Sequence, residues 1–431
     1  MPEFKNVIVA QSGGPSPVIN ASLQGVIEGC TEFDAFGSVY GGWHGIEGVL
    51  REELIDLSSQ PAEELNLLKT TPAAGSVGTC RYKLKEHQEQ DFNRVIEVLK
   101  AHRVGYFFYN GGNDSMDTAN KVSILAREKG LDLVSVGVPK TIDNDVGGGL
   151  NEDGQTFSVI DHTPGYGSCA RYWAWKVGQA NQENRGSSPS DPVLVLQAMG
   201  RKIGFIPAAA RLADPDRELP LLIVLVESGI TLPELHDRVN ETLSKHGRAI
   251  VVVSEGLDVG NKDFVPDSFA HAQYSTGTPA AEVVTKYLNE QGLSVRGSAR
   301  FNVPGTDQRN DHTYLSSVDV EEAYQVGMHA AEIAATSGNG FMASIQREPG
   351  DYKVSYDAVP LESVANSERM FPRDWVAEGG VDVTDDFLKY AQPLIGDAPV
   401  DVPHRGGLPR FARIELNFAE KQLEEYVPEA Y

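Results

Sequence analysis

The sequence has few cysteines, a shortage of basic residues and no long apolar run. Its three cysteines, Cys30, Cys80 and Cys169, lie far apart without a CxxC pair, which excludes a disulfide framework and a thiolate zinc site. Lysine and arginine number 37 and aspartate and glutamate 61, so the formal net charge is −24. A surface this acidic repels nucleic acid phosphates and anionic lipids, so we expect neither as a partner.

From the sequence we also expect neither a signal peptide nor a membrane span. The first residues, MPEFKNVIVAQSGG, lack a basic region followed by a long apolar run, and no stretch approaches the ~18 uninterrupted apolar residues of a membrane span. Because the few cysteines fit a reducing compartment, we expect a cytoplasmic protein. The composition, 41% hydrophobic and 23% charged, is typical of a globular protein.

Short apolar runs alternate with helical patterns along most of the chain. Most of these runs, such as Val7–Ala10, Gly105–Tyr109 and Ile250–Val253, lead into segments that contain glycine, serine, threonine or proline, here QSGGP, NGGNDS and SEG. They predict strands buried on both faces, and strand alternating with helix predicts an α/β fold with doubly wound parallel sheets. Ligands bind such sheets at the carboxyl ends of their strands. Helices are predicted over residues 17–29, 91–102, 115–129, 232–246 and 319–335.

Two breaks in this pattern suggest how the chain divides. Residues 185–192, RGSSPSDP, are a predicted loop, and residues 337–340, SGNG, are a second break. Residues 345–431 are rich in proline and poor in strand signals, so they are predicted to form a C-terminal extension. The other predicted domains are 1–150, completed by a segment near 310–340, and 151–309.

Two glycine pairs follow predicted strands and precede predicted helices. They are SGGP at residues 12–15 and GGNDS at residues 111–115. Paired glycines let backbone N–H groups approach an oxyanion, and the helix N-terminus adds positive potential. An oxygen side chain beside the second pair could hold Mg²⁺. Both patterns also fit plain turns, the second with Asp114 or Ser115 as the helix cap.

The sequence PKTIDND at residues 139–145 concentrates polar groups after a buried strand. Such a concentration costs desolvation free energy unless the groups bind something. A carboxylate here can accept a proton from an attacking hydroxyl, and a lysine can neutralise charge on a transferring phosphoryl group. A turn capped by its own aspartate and asparagine side chains is the structural alternative.

Three further motifs carry weaker signals. MGR at residues 199–201, SEG at residues 254–256, and Arg300 with PGTDQR at residues 304–309 supply arginine and glutamate side chains. Arginine suits a phosphate or carboxylate, and Glu255 could accept sugar hydroxyls, although each motif alone fits a surface role equally well. Five basic residues of this acidic chain lie in or beside glycine-rich motifs, which indicates a focused anion-binding cleft; they are Arg81, Lys140, Arg201, Arg300 and Arg309.

Taken together and in this order, the motifs resemble those of the phosphofructokinase family from about Val7 to about Gly327. The family's catalytic signature TIDND is intact here, and its MGR sequence is present. The matched positions are Gly13 and Gly14, Gly78–Arg81, Gly112–Asp114, Thr141–Asp145, Asp161–Tyr166, Met199–Arg201, Glu255–Gly256 and Gln308–Arg309.

The resemblance implies two doubly wound, Rossmann-like domains with the active site in the cleft between them. Residues 1–150 would bind the phosphoryl donor and residues 151–309 the sugar phosphate. The implied reaction is reversible phosphorylation of the 1-hydroxyl of fructose 6-phosphate, a step of glycolysis and gluconeogenesis. The implied assembly is a homo-oligomer, a dimer or tetramer, with Arg300 reaching the site of a neighbouring subunit.

The resemblance also assigns residues to roles. Asp143 would be the base, with Thr141 and Lys140 supporting catalysis, and Mg²⁺ would be held by Asn113 and Asp145. The implied donor-binding residues are Gly13, Gly14, Arg81, Gly112, Asp114, Ser115 and Lys140. The implied sugar-phosphate-binding residues are Thr141, Ile142, Asp143, Met199, Gly200, Arg201, Glu255, Arg300, Gln308 and Arg309.

Two positions indicate the donor. The pyrophosphate-dependent branch of the family is similar to this sequence in having Asp114 and Lys140, where ATP-dependent members usually have small residues. An aspartate there occupies the space and charge of a nucleotide α-phosphate and repels it. Pyrophosphate is therefore the expected donor, and ATP is the alternative.

The sequence departs from the family pattern at three places. Asn113 replaces the usual metal-binding aspartate, Thr306 replaces a common histidine, and an arginine is missing near residues 190–192. A catalytically silent sugar-phosphate-binding regulatory subunit is therefore an alternative of another class, although the intact TIDND argues against it. The lipid and NAD kinases share a GGDG-like turn but lack TIDND and MGR at this spacing.

Overall fold

The structure is a computed structural model that describes residues 2–82, 84, 87–154, 156–260, 265–266, 272–273, 277–365 and 367–429. Its strands are β1 Asn6–Gln11, β2 Val39–Gly42, β3 Leu54–Asp56, β4 Val104–Gly111, β5 Val134–Pro139, β6 Val193–Ala198, β7 Leu221–Val224, β8 Ala249–Ser254, β9 Val265–Pro266, β10 Ala272–Gln273, β11 Ala299–Asn302, β12 Phe341–Arg347, β13 Val354–Pro360, β14 His404–Arg405 and β15 Leu408–Pro409. Its α-helices are α1 Ile19–Gly29, α2 Ile46–Leu50, α3 Ala62–Leu67, α4 Glu89–Ala101, α5 Asn113–Glu128, α6 Tyr166–Ser187, α7 Phe205–Ala208, α8 Leu232–His246, α9 Ala280–Gln291, α10 Ser317–Thr336, α11 Leu361–Val364 and α12 Asp385–Ala391.

The chain forms two compact units. Unit 1 comprises Met1–Gly165, Asp319–Arg369 and Val400–Tyr431, and unit 2 comprises Tyr166–Val318 and Met370–Pro399. None of the helices in the described residues combines the length and the apolar composition that a membrane-spanning helix needs.

Unit 1 contains a seven-stranded sheet in the order β13-β12-β5-β4-β1-β2-β3. Strands β12, β5, β4, β1 and β2 run parallel, and the edge strands β13 and β3 are antiparallel to their neighbours. Every residue of β4 is buried, as its continuous apolar run predicts. The carboxyl ends of β1, β4 and β5 lie together, so the turns that follow them are neighbours.

Unit 2 contains a four-stranded parallel sheet in the order β11-β6-β8-β7. Its core includes Val193, Val195, Val251 and Val253, all fully buried. Both sheets confirm the predicted α/β fold class. The loop predicted at residues 185–192 starts later than expected, because α6 continues to Ser187.

The C-terminal residues are distributed over both units. Strands β12 and β13 form an antiparallel hairpin at the edge of the unit 1 sheet. Residues 370–399 belong to unit 2, where Phe371, Trp375 and Phe387 form an aromatic cluster. Residues from 400 onward run along unit 1. The segment predicted as one extension over 345–431 therefore contributes to both cores.

Candidate functional site

The first glycine pair lies at the carboxyl end of β1. Gly13 has a φ of 80°, a left-handed conformation that favours glycine. Its N–H donates to the carbonyl of Cys80 (2.8 Å), and the Thr79 hydroxyl donates to the Gly13 carbonyl (2.9 Å). These bonds hold the segment that contains Arg81 beside Gly13 and Gly14. The structure thus brings together two of the predicted donor-binding motifs.

Lys140 connects this loop to the motif after β5. Its side chain is buried, and its ammonium donates to the carbonyls of Ser12 (2.8 Å) and Gly14 (2.7 Å). Its backbone N–H donates to the carbonyl of Gly111 at the end of β4 (2.9 Å). Lys140 therefore fixes a positive charge within the first glycine loop and joins the turns of three neighbouring strands.

The second glycine pair forms a sharp turn from β4 into α5. A Cβ atom on Gly111 would lie 2.1 Å from the Ser115 hydroxyl oxygen, so only glycine fits there. The N-cap residue is Gly112, and not Asp114 or Ser115 as the sequence alternative suggested. Asp114 lies in the first turn of α5, where the helix dipole favours a negative charge.

Asn113 holds the turn of α5 against the loop after β5. Its amide nitrogen donates to the carbonyl of Asp145 (2.9 Å), and its amide oxygen accepts from the N–H of Gly147 (3.2 Å). The predicted metal position Asn113 is thus engaged with backbone groups. Within the described ranges, no group of three or more His, Cys, Asp or Glu side chains could hold a metal ion.

The two aspartates of the TIDND loop differ in their exposure to solvent. Asp143 is partly exposed and donates its backbone N–H to the Thr141 hydroxyl (3.1 Å), whereas Asn144 and Asp145 are buried. Asn144 has a φ of 58°, which asparagine tolerates better than most residues. Its side-chain oxygen accepts from the N–H of Thr163 (2.9 Å). The buried side chain of Asn144 therefore fixes the loop, and Asp143 stays partly exposed.

A buried ionic network supports residues 161–165, which lie beside this loop. His162 is sandwiched between the carboxylates of Asp161 (2.9 Å) and Glu322 (2.7 Å). Arg347 also pairs with Asp161 (2.9 Å), and the Tyr352 hydroxyl donates to Glu322 (2.6 Å). Burial alone lowers the pKa of His162, but the two carboxylates outweigh it and raise the pKa to about 9.

This network predicts a pH-dependent stability. The pKa of His162 rises from 6.5 to about 9 on folding, so its contribution to the free energy of unfolding is complete below pH 6.5 and is lost as the pH rises through 9. His162→Gln should destabilise the protein strongly at pH 6 and much less at pH 10, as measured by urea unfolding.

The exposed His404 provides a control, since His404→Gln should leave the unfolding free energy nearly unchanged across the same range. An equal stability loss for His162→Gln at both pH values would contradict a protonated His162.

In unit 2 the MGR motif follows β6 and is held by two other predicted residues. The N–H of Arg201 donates to the Glu255 carboxylate (2.9 Å), and the N–H of Met199 donates to the side-chain oxygen of Gln308 (3.0 Å). A Cβ on Gly256 would lie 1.8 Å from the Arg201 carbonyl, so this approach requires glycine. Met199, Arg201, Glu255 and Gln308 are thus brought together.

Arg300 has its hydrogen-bond partner elsewhere in unit 2. It is on the edge strand β11, its side chain is 67% exposed, and its Nε donates to Asp191 (2.9 Å). Arg309 ends a short 3-10 turn, Gly305–Arg309, and is partly exposed. An exposed arginine on an edge strand can reach a partner molecule.

The comparisons with known proteins agree on one family. The sequence model described as "Phosphofructokinase" matches residues 6–334. A pyrophosphate–fructose 6-phosphate 1-phosphotransferase of Halomonas elongata is 38% identical, with 98% of this chain and 99% of that protein covered. One of Methylococcus capsulatus is 37% identical, with 95% and 96% covered. The crystal structure of a pyrophosphate-dependent phosphofructokinase from Nitrosospira multiformis is similar with a TM-score of 0.86 and 35% identity, covering 98% of this chain and 100% of that one.

Proposed function

Because the chain belongs to the phosphofructokinase family, we propose that it transfers a phosphoryl group from pyrophosphate to the 1-hydroxyl of fructose 6-phosphate. The products are fructose 1,6-bisphosphate and phosphate, and the reaction is reversible. The observation that carries the proposal is the Lys140 ammonium, fixed within the Gly13–Gly14 loop next to an intact TIDND sequence. A comparison of pyrophosphate with ATP as the donor tests it.

Asp143 is the general base in this proposal. Its carboxylate takes the proton of the sugar 1-hydroxyl, and the sugar oxygen forms a bond to the nearer phosphorus of pyrophosphate. The bond from that phosphorus to the bridging oxygen breaks, and phosphate leaves. The partial exposure of Asp143 supports this role, because its carboxylate can meet a substrate. Thr141 shapes the turn through its bond to the Asp143 N–H.

The donor site is built from the glycine turns and the cations beside them. Gly13, Gly14 and Gly112 give a phosphate access to backbone N–H groups, and the N-terminus of α5 at Ser115 adds positive potential. Arg81 and Lys140 would balance the donor's negative charge. Asp114 would exclude a nucleotide's α-phosphate.

Mg²⁺ is the proposed cofactor, and the residues present fit it through one carboxylate. Mg²⁺ is usually bound by one or two carboxylates and substrate phosphates, which suits Asp145 together with pyrophosphate. Asn113 would hold Asp145 in place through its bond to the Asp145 carbonyl. When bound, the ion would neutralise charge on the phosphates of the donor.

The sugar phosphate is assigned to unit 2, where Arg201 and Arg309 would bind the 6-phosphate. Glu255 would accept hydroxyls of the sugar, and it already orients Arg201 through the backbone. Gln308 would position the MGR segment, because its buried side chain accepts a hydrogen bond from the N–H of Met199. Gly200 and Ile142 would contribute close backbone approach and packing.

A cytoplasmic location is proposed on chemical grounds. All three cysteines are buried free thiols, which persist in a reducing compartment.

Arg300 is proposed to act in the site of a neighbouring subunit of a homo-oligomer. Arg300→Ala should raise KM for fructose 6-phosphate by about tenfold or more, because a charged hydrogen bond contributes about 2 kcal/mol. Steady-state kinetics measures this, with the exposed Lys286→Ala on α9 as a control that should leave KM unchanged.

Mixing Arg300→Ala chains with Asp143→Asn chains separates the two possible locations of Arg300. If it acts across subunits, hybrid oligomers contain some intact sites and recover activity. Hybrids that form without recovering activity would show that Arg300 acts within its own chain or not at all.

A further inference from the structure

The buried side chain of Arg369 contacts two parts of the chain after Asp143, at residue 147 and at residues 160–161. Arg369 is fully buried, and its Nη1 donates to the carbonyl of Asp161 (2.8 Å). Its Nη2 donates to the carbonyls of Ile160 and Gly147, the latter at 3.3 Å. One guanidinium therefore ties residue 147 to residues 160–161 across an intervening excursion of the chain.

The same arginine reaches the residue that follows the proposed base. Its Nη1 lies 3.4 Å from the side-chain oxygen of Asn144, which also accepts from the N–H of Thr163. Its backbone N–H donates to the carbonyl of Asp145 (2.9 Å), and Glu368 pairs with Val146 as an antiparallel bridge. The C-terminal segment is thus bonded to residues 144–147 by main chain and side chain.

Packing fixes the guanidinium itself. Its central carbon lies 4.1 Å from the centre of the Phe157 ring, and Phe157 is buried. Arginine suits this place because its planar fork donates in several fixed directions while its face stacks on an aromatic ring. Lysine, a point charge on a flexible stem, cannot reproduce that set of bonds.

We propose that Arg369 is a positioning residue for the proposed base Asp143, acting through Asn144. Asn144 turns the chain immediately after Asp143 with a positive φ, and the two hydrogen bonds of its side-chain oxygen fix that turn. Arg369 supplies one of these bonds from a segment more than 200 residues away in sequence. The expected loss of kcat rests on the proposed function, whereas the expected loss of hydrogen-exchange protection does not.

The test compares Arg369→Met with a matched buried arginine elsewhere in unit 1. Arg94 is also buried, donates to the carbonyls of Leu50 (3.1 Å) and Glu424 (2.8 Å), and stacks on Tyr426 at 5.3 Å. Arg94→Met therefore removes a buried, stacked guanidinium, together with its 3.8 Å ion pair to the buried Glu52, without touching the TIDND loop. Arg369→Lys is the conservative variant.

Two measurements are made on each full-length variant. Hydrogen exchange followed by mass spectrometry reports protection of residues 144–163, where the Gly147 and Thr163 N–H groups are bonded. Steady-state kinetics reports kcat and KM for both substrates. Arg369→Met should lose protection in this segment and lower kcat by about 10²-fold, since small misplacements of reacting groups cost this much.

The KM values should stay within about threefold of wild type, because substrate binding depends on other residues. Arg369→Lys should fall between wild type and Arg369→Met, and Arg94→Met should keep both the local protection and kcat. If Arg369→Met does not fold, Arg369→Lys takes its place with the same two measurements.

The proposal is overturned if a folded Arg369 variant keeps normal protection over residues 144–163 and a kcat within about threefold of wild type. It is also overturned if Arg94→Met produces the same pair of losses. If the wild-type protein is inactive with pyrophosphate, the proposed function is contradicted but the role of Arg369 is not. The hydrogen-exchange data would then decide the role of Arg369.

Discussion

Asp143→Asn should lower kcat by roughly 10²- to 10⁴-fold or more while leaving substrate binding nearly unchanged. The amide keeps the shape of the carboxylate but cannot accept the proton of the sugar hydroxyl. The loop itself should survive the substitution, since the bond from residue 143 to Thr141 uses the backbone N–H. Initial rates with saturating pyrophosphate and fructose 6-phosphate measure the change.

An exposed aspartate of the same unit gives the control for this substitution. Asp34→Asn removes one charge at the surface and should leave kcat within about twofold of wild type. A near-normal turnover by Asp143→Asn would remove Asp143 from the role of base.

Replacing Asp114 and Lys140 together by glycine should shift the donor preference furthest from pyrophosphate toward ATP. Asp114 lies in the first turn of α5, two residues after the glycine pair that a nucleotide's α-phosphate would approach. Two negative groups about 4 Å apart repel by about 4 kcal/mol at an effective dielectric of 20, enough to exclude a nucleotide by orders of magnitude. Asp114→Gly should therefore let ATP compete.

Lys140→Gly alone should lower the rate with pyrophosphate and do little for ATP. The structure adds a reason, since this change also removes the ammonium that binds the carbonyls of Ser12 and Gly14. Rates with both donors at matched Mg²⁺ measure the shift for the two single variants and the double variant.

The variant Asp114→Asn separates charge from volume, because asparagine keeps the size of aspartate without its charge. Relief of the repulsion predicts more ATP turnover in Asp114→Asn than in wild type. No gain in ATP turnover from either Asp114 variant would contradict the repulsion argument.

The local features of the fold could be predicted from the sequence because they depend on neighbouring residues. Helical spacing over 232–246 coincides with α8, and the apolar run at Gly105–Tyr109 lies within the buried strand β4. The α/β class follows from this alternation and is confirmed. The parallel order of β1, β4 and β5 then explains why motifs far apart in sequence lie side by side.

The chemistry of individual side chains was harder to foresee. Lys140 could be identified as a cation near a phosphate site, but its two carbonyl partners depend on the three-dimensional path of the Gly13–Gly14 loop. The metal-ligand role of Asn113 stays a prediction, and the bonds of its amide to backbone groups of residues 145 and 147 are visible only in the structure. Residue type and spacing do not reveal which partner an amide or ammonium meets.

Residues that support the site from a distance were missed. His162 pairs with a glutamate 160 positions later, and Arg369 contacts Asn144 across 225 positions. No local pattern marks such long-range bonds, and the proline-rich composition of residues 345–431 suggested only a peripheral segment. The one available signal was the place of His162 inside the Asp161–Tyr166 motif.

The most direct test of the account is the donor preference of the purified wild-type protein. Turnover of fructose 6-phosphate is measured with pyrophosphate and with ATP at the same Mg²⁺ concentration, and formation of fructose 1,6-bisphosphate is followed. We expect rapid turnover with pyrophosphate and almost none with ATP. A preference for ATP over pyrophosphate would contradict the roles given to Asp114 and Lys140 and leave only ATP-dependent phosphorylation of the same sugar phosphate.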